Sequence, residues 1–583
     1  MTETASRVKV VERRWVPRRE TAGDAVALAA SAGVSEVVAG VLAARGVRSV
    51  EEARALLSPS LEQLHDPYLM KGMPEAVERV LRAVDAGERI LIYGDYDVDG
   101  TTGTVVLRRA LEFLGAKTGY HVPHRFTEGY GIRRDVLERA KSDGYSLVIS
   151  VDCGIRAFEP LEWARENGLD VIITDHHLPD DAEGAPPAYA VLNPNQSGCE
   201  YPDKNLAGVG VAFKLAHALF RERGREAQVP GFLKIVAIGT VADVAQLTGE
   251  NRAIVALGLK DLHRATNPGL RALMEVAGVG DGSGVRAFDL GFRLGPRINA
   301  AGRMDAARAV VELFESKSMD EARALAEHLD ARNRERRDVQ QQVTERAVAE
   351  LELSGQGETS VVVVAGDGWH RGVIGLAASK IAERLQRPAV VISLDEDGVG
   401  HGSARSGEGF HMLDALTECA DILEAFGGHA HAAGLAVRRE NVAELRRRLN
   451  AHASRLVSEE DDGAPSLEYD LELPADALGL DLCAELEALE PFGAGWPKPV
   501  FVTRNLRVVG EPRVLKERHL KFGVLASGRV HDCIWWGGAE HDAATPGPGA
   551  SIELAYSVEA NCWNGNTRLQ LVVEDLKAVN REP

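Results

Sequence analysis

The sequence predicts an α/β chain in which a parallel-sheet domain is followed by a long helix, a second and smaller α/β domain, and a carboxyl-terminal β-barrel. Three observations carry that expectation. Between about residues 46 and 315, short β-rich runs alternate with amphipathic stretches, the pattern of strand–helix units building a parallel sheet. Residues 316–353 hold no proline and are dense in Ala, Glu, Arg and Gln, which favours one long, largely exposed helix. Beyond residue 466 the runs are short, β-rich and separated by Gly, Pro and Asn, the texture of a small barrel.

Residues 1–45 form an amino-terminal segment. In the domain 46–315, Arg89-Ile90-Leu91-Ile92-Tyr93, Leu147 to Val151 and Asp170 to Thr174 read as strands. The connecting helix is placed at 316–355. The second α/β unit, 356–457, starts on the strand Val361 to Val364, turns through Gly366, Gly368 and Gly372 straight into a helix, and returns on Ala389 to Ile392. A helix amino terminus after such a turn presents unpaired N–H groups that suit a phosphate, although turn geometry alone explains the glycines equally well. The acidic stretch Ser458 to Ser466 reads as a linker. In the barrel, 467–583, strands are expected at Pro499 to Val502, Leu520 to Val524, Val530 to Trp536, Ile552 to Val558 and Arg568 to Val573.

A chain of 583 residues suffices for three or four domains with buried cores. Its net charge of −20 argues against a protein that coats polyanions, because non-specific nucleic-acid affinity comes from basic surface. An enzyme acting on nucleic acid is not excluded, since part of the acidity belongs to the metal site inferred below. Basic residues gather at Arg13, Arg14, Arg18 and Arg19, within 438–448 and within 504–521, and each cluster reads first as a solvated face. The six cysteines are far apart and form no C-x-x-C pair, which argues against a cysteine-built zinc cluster and suits a reducing cytoplasm. The amino terminus lacks the apolar stretch of a secretory signal, and no run approaches about 18 apolar residues, so a soluble, cytoplasmic protein is expected.

The chemistry is concentrated at the carboxyl ends of the first three strands, where open parallel sheets bind ligands. After the first comes Gly94-Asp95-Tyr96-Asp97-Val98-Asp99-Gly100, after the second Asp152, and after the third Asp175-His176-His177. Carboxylates packed this closely repel one another unless cations neutralise them. The apolar flanks Ile90 to Tyr93 and Val105 to Leu107 argue against a solvated acidic loop. Asp243 follows a long apolar run, and a buried Asp needs a cation or a donor. Carboxylates with an occasional imidazole suit Mn²⁺ or Mg²⁺ better than zinc. Two such cations lower the pKa of water and stabilise the attacking and leaving oxygens of an in-line phosphoryl displacement. A metal-dependent phosphate-ester enzyme is therefore the expected class.

Taken in order, GDYDVDG at 94, SVDCG at 150, TDHH at 174 and GTVADV at 239 resemble the metal-binding motifs of the RecJ single-strand-specific exonucleases of the DHH phosphoesterase superfamily. PRINAAGR at 296 resembles a further RecJ motif, and GSARS at 402 and GGHA at 427 resemble the companion DHHA1 domain. The resemblance implies a DHH domain, a DHHA1 domain and an OB-fold barrel. It implies that Asp95 and Asp97 bind a first metal, that Asp99, His176 and Asp243 bind a second, and that Asp152 bridges them. Asp175 would orient its neighbours, and His177 would contact the scissile phosphate. Related pyrophosphatases carry a His where this chain has Tyr93, so Asp95 is expected to take over that ligand role. His370, Arg371, Ser403, Arg405 and His429 are the candidates for gripping the backbone or the terminal 5′ phosphate, and Arg297, Asn299 and Arg303 for lining the way to the metals. Structural roles compete: His429 could close a turn and Asn299 could cap a helix.

Phe492, Trp496, Phe522, Trp535 and Trp536 are available in the barrel to stack on bases, although most barrel aromatics are core. Trp496 stands where the family usually has Asn. The activity implied is 5′-to-3′ hydrolysis of single-stranded DNA to 5′ mononucleotides in DNA repair and recombination. A monomer is expected, with a helicase and a single-strand-binding protein as companions. Some members carry an additional carboxyl-terminal domain, expected here to be missing or trimmed. A DHH phosphodiesterase acting on short oligonucleotides or cyclic dinucleotides is the rival within the enzyme class. A non-catalytic single-strand-binding relative is the rival outside it.

Overall fold

A computed structural model of the chain describes residues 13–19, 22–180, 184–280, 284–304, 307–356, 359–407, 409–456, 466–540, 546–563 and 566–579. The expected acidic linker lies outside the described residues up to residue 465. Five parallel strands form the first sheet, in the spatial order Lys117–His121, Arg89–Tyr93, Tyr145–Ser150, Asp170–Thr174, Ala190–Leu192. The three expected strands are the apolar central ones. The two edge strands went unread because Lys117–His121 is only partly buried and polar, while Ala190–Leu192 has just three residues.

This order reverses direction between Arg89–Tyr93 and Tyr145–Ser150. Such a switch point opens a crevice beyond the strand ends, because the connections leave to opposite sides. The helix Val98–Phe113 starts in that crevice and packs on the helices Gly208–Glu222 and Leu233–Ala242. Their apolar faces belong to the main core, together with Ile90, Ile92, Leu147 and Ile149.

The connecting helix spans Met319–Leu353, 35 residues, or about 52 Å. Ser318 caps it, accepting from the Glu321 amide at 3.2 Å. Its buried stripe has two parts. Ala322, Ala326 and Leu329 join the core of the first domain, whereas Val343, Ala347 and Leu351 pack under the second-domain strand Val362–Asp367 and helix Ile374–Leu385. One continuous helix thus packs into both domains. The second sheet runs Leu423–Gly428, Ala432–Arg438, Val399–Arg405, Ala389–Leu394, Val362–Asp367, with only the last pair parallel.

The barrel closes from five strands, Phe501–Leu515, His519–Ala526, Arg529–Trp535, Asn566–Ala578 and Ser551–Trp563, the last returning to the first. Phe522, Trp535 and Trp496 are buried, Phe492 is half-buried, and of the five expected stacking candidates Trp536 is the exposed one. The Trp496 indole donates to the Leu489 carbonyl at 2.9 Å and lies between the guanidiniums of Arg45 and Arg252. Trp496 is therefore a hub of the barrel's attachment to the body and not a surface for bases. The amino-terminal strand Arg14–Pro17 pairs with Ser466–Tyr469, and Arg45 forms a buried ion pair with Asp470 at 2.8 Å. Of the three basic clusters, 438–448 is largely paired, as with Arg448 to Asp421, while Arg18 pairs with Asp470 and Arg504 with Glu553 in the other two.

Candidate active site

The strand Arg89–Tyr93 delivers the aspartate-rich loop to the crevice. Asp97 caps the following helix, its carboxylate accepting from the Gly100 amide at 2.9 Å. Asp95 and Asp99 turn inward and are 4 % and 1 % exposed. Gly100 permits this, since a Cβ there would fall 2.6 Å from the Cβ of Asp95. The Asp99 carboxylate accepts from the amides of Gly208 at 2.6 Å and Val209 at 2.8 Å. These open the helix Gly208–Glu222, where free N–H groups and the helix dipole favour an anion. A Cβ on Gly208 would meet Asp152 Cβ at 2.7 Å, so glycine lets this helix end reach two carboxylates.

Asp152 leaves its strand in the left-handed region, φ 63°, a strained conformation for a non-glycine residue. One of its carboxylate oxygens, Oδ1, is buried without a hydrogen-bond partner, as is Oδ1 of Asp95. His176 Nε2 lies 3.2 Å from that Asp152 oxygen, outside hydrogen-bonding geometry, 3.8 Å from Asp99 and 3.9 Å from Asp243. Asp243 ends the helix Leu233–Ala242. Three overlapping triads emerge, each with ligand atoms within 4.8 Å of one another: Asp95, Asp97 and Asp152; Asp99, His176 and Asp243; and Asp152, His176 and His177.

The electrostatics match the geometry. Burial, then the charge of Asp97, pushes Asp95 well up, and the same causes push Asp99 to about 7 against the Gly208 and Val209 amides. Burial and the charges of Asp99 and Asp97 push Asp243 to about 9, and Asp152 rises for the same reasons. Burial, reinforced by His177, draws His176 down to about 4, leaving a neutral imidazole able to ligate. Orphaned oxygens among mutually repelling carboxylates are what divalent cations relieve, and oxygen donors with one imidazole fit Mn²⁺ or Mg²⁺.

Asp175 points elsewhere. It is fully buried and accepts from the amides of Ile155, His176 and His177 at 2.9, 2.8 and 3.1 Å and from His177 Nδ1 at 2.8 Å. Burial would raise it, but the His177 hydrogen bond and charge and the Ile155 amide hold it below the usual range. In return His177 is raised, since the Asp175 hydrogen bond and charge outweigh burial. Tyr130 Oη sits 3.1 Å from the same ring nitrogen, while Asn193 and Asn195 donate to the carbonyls of His177 and His176, each at 2.8 Å.

Arginines face the carboxylates. Burial, then Arg125, Arg336 and Arg405, draws Arg303 down to about 10, and burial with Arg125 lowers Arg405. Arg125 lies over the Tyr96 ring, 4.8 Å from its centroid. Arg303 donates to the Gly372 carbonyl at 2.9 Å, bridging the two domains, and Ser403 and Arg405 both approach Gly375. Guanidiniums that repel one another in a partly buried cleft call for an anion.

The other expected grip residues are not all gathered here. The Arg297 guanidinium is paired with Asp330 at 2.9 Å, and Asn299 accepts from the Val98 amide at 3.2 Å, a structural anchor of the aspartate loop. His370 packs edge-on against Phe126, Arg371 donates to His401 at 3.0 Å, and His429 is exposed in the turn before Ala432–Arg438. Sequence reasoning missed Arg125, Arg336, Tyr130, Asn193 and Asn195. Arg125 and Asn193 follow the two unread edge strands, so recognising those strands would have exposed them.

The chain matches the DHH family, N-terminal domain, over residues 89–240, the DHHA1 domain over 358–455 and the RecJ OB domain over 469–575. It is 40 % identical to the single-stranded-DNA-specific exonuclease RecJ of Bacillus subtilis strain 168, the match covering 96 % of this chain and 70 % of that protein. It is 36 % identical to RecJ of Escherichia coli strain K12, covering 92 % and 94 %. The crystal structure of RecJ from Thermus thermophilus in complex with Mn²⁺ superposes with a TM-score of 0.82 at 31 % identity, covering 97 % of this chain and 80 % of that one. On these grounds the chain belongs to the RecJ family of single-stranded-DNA-specific exonucleases.

Proposed function

We propose that this protein is a metal-dependent exonuclease that hydrolyses single-stranded DNA from the 5′ end and releases 5′ mononucleotides. One observation carries the reading: three overlapping triads of potential ligands at the switch point, with orphaned carboxylate oxygens, lie beside a cluster of mutually repelling arginines where the two domains meet. Asp95 and Asp97 would hold one cation, Asp99, His176 and Asp243 a second, with Asp152 between them, and Mn²⁺ or Mg²⁺ fits the donor set. When bound, such a pair supplies Lewis acidity toward the phosphoryl oxygens and toward the attacking water.

The chain's own residues do the rest. Asp175 fixes the His177 ring through Nδ1, which leaves Nε2 to donate to the scissile phosphate or the leaving oxygen. The raised proton affinity of His177 keeps it a donor further into the neutral range than an ordinary imidazole. Arg125, Arg303 and Arg405 would hold the terminal 5′ phosphate, with Ser403 beside them, and so set the register of cleavage. His370, Arg371 and His429 would contact the strand further out. A cytoplasmic, monomeric enzyme of DNA repair and recombination, supplied with single strands by a helicase and a single-strand-binding protein, belongs to the same proposal. Among the described residues no helix is long and apolar enough to cross a membrane.

A 5′-phosphorylated oligonucleotide labelled at either end, digested with Mn²⁺, tests the reading. Mononucleotides released first from the 5′ end by the wild type, and none by Asp97→Ala, are expected. Hydrolysis confined to dinucleotides would favour a short-substrate phosphodiesterase. An unchanged rate in Asp97→Ala would remove the metal site from the mechanism.

A further inference from the structure

The helical run 287–303 connects the metal loop with a surface that no catalytic role has used. Its far end, helix Gly295–Arg303, carries Asn299 on the Val98 amide. Its near end contains a π-helical stretch, Leu290–Leu294, of the kind that often marks functional sites. There Phe288 and Phe292 stand in solvent, 56 % and 66 % exposed, their rings stacked on each other with centroids 4.7 Å apart at 23°. Two exposed phenylalanines on one helix face are costly to leave in water unless something covers them.

We propose that Phe288 and Phe292 form a base-stacking platform for the single strand just outside the active site, an inference that rests on the exonuclease reading above. Continuity with the site is the first argument. The π-helical stretch packs on the helix Leu233–Ala242, with Gly291 against Val241, two residues before Asp243. Val244, next to Asp243, is 70 % exposed in a left-handed conformation, φ 59°. From Phe292 to Asn299 is about 10 Å along the helix, a reach of a few nucleotides. Charge is the second argument. Arg286 and Arg293 are exposed on the flank of the pair; Arg293 is held by Asp289 at 3.3 Å and by the Gly278 carbonyl at 3.1 Å, whereas the Arg286 guanidinium has no ion pair among the described residues. Aromatic faces beside guanidiniums fit a sugar–phosphate chain with unpaired bases, and stacking accepts any base.

The test compares wild type, the Phe288→Ala/Phe292→Ala pair, the Phe288→Leu/Phe292→Leu pair and the Phe288→Trp/Phe292→Trp pair in the full chain. For a long 5′-phosphorylated strand, KM rises about tenfold in the Ala pair with kcat within about twofold, remains high in the Leu pair, and returns toward wild type in the Trp pair. The added tryptophans are quenched when the strand binds. Hydrolysis of a 5′-phosphorylated dinucleotide, too short to reach the platform, is unchanged in all four. An unchanged KM in the Ala pair, or full rescue by leucine, overturns the platform and points to a surface for another protein, with the exonuclease reading intact. A wild type that does not degrade the long strand overturns that reading and this inference with it.

Discussion

Asp152 concentrates the conflict between stability and activity in one side chain. Its backbone is strained, its Oδ1 has no hydrogen-bond partner, and its charge is opposed by Asp99, Asp97, Asp95 and Asp243. An acid whose pKa is raised by folding stabilises the native state while protonated, and that contribution is lost as pH rises from the unfolded value, about 4, through the folded one. For Asp99 and Asp243 the window therefore reaches about 7 and about 9. The metal-free protein should gain thermal stability from Asp152→Asn, by a few degrees in a scan with chelator at pH 8, while nuclease activity falls below detection. Mn²⁺ should raise the wild-type Tm more at pH 8 than at pH 6. Calorimetric titrations in buffers of different ionisation heat should show protons released on Mn²⁺ binding at pH 7. A chelated Asp152→Asn protein less stable than wild type would mean that the carboxylate is satisfied without metal.

At the same scale, Asp175 and His177 form a pair whose geometry the motif alone could not reveal. Both lie in one Asp-His-His run, yet His176 turns to the carboxylates and Asp175 turns away into a cage of amides. Asp175→Asn keeps the shape but removes the charge that raises His177. Its kcat should fall by one to two orders of magnitude, and the alkaline limb of the pH profile should move to lower pH. A profile identical to wild type would show that His177 does not act as a proton donor.

Elements decided what was legible. Apolar central strands such as Ile90 to Tyr93 and Asp170 to Thr174 announce themselves, and each is followed by a run of aspartate or histidine. The edge strands do not, since Lys117–His121 is polar and Ala190–Leu192 is short, and with them went Arg125, Asn193 and Asn195. Arg336 was lost for another reason. It lies on a helix full of arginines, and only the packing of that helix against Gly295–Arg303 turns it toward Arg303. Where an arginine sits in the cleft governs what its loss does. Arg405→Ala, at the end of strand Val399–Arg405, should raise KM for 5′-phosphorylated strands about tenfold or more and leave 5′-hydroxyl strands little changed. Equal losses on both substrates would assign Arg405 to the fold of the second domain. Asn299 shows the opposite case: a residue from a family motif holds the Val98 amide, and Asn299→Ala should lower Tm together with activity.

The whole molecule carries a net charge of −20 and yet is built to receive a polyanion. Its basic cluster at 438–448 is largely neutralised by acidic neighbours, and Arg18, Arg504 and Lys521 are paired in the clusters at 13–19 and 504–521. A further group of positive charge gathers where the two domains meet, around Arg125, Arg303, Arg336 and Arg405. Beyond that group and the Phe288–Phe292 face beside it, such a protein should hold single strands weakly. It should take them at one end, through few phosphate contacts, and the number of contacts can be read from salt. Each phosphate neutralised on a single strand contributes about −0.7 to the slope of log affinity against log salt, so four arginines give a slope near −3. Arg405→Ala should reduce that slope by about 0.7, and reversing exposed arginines such as Arg447 should leave it unaltered. Binding of a 5′-phosphorylated strand followed by anisotropy between 50 and 300 mM salt would measure both. A slope near −8, or one that responds to Arg447 as strongly as to Arg405, would place the strand on the outer surface and not in the cleft.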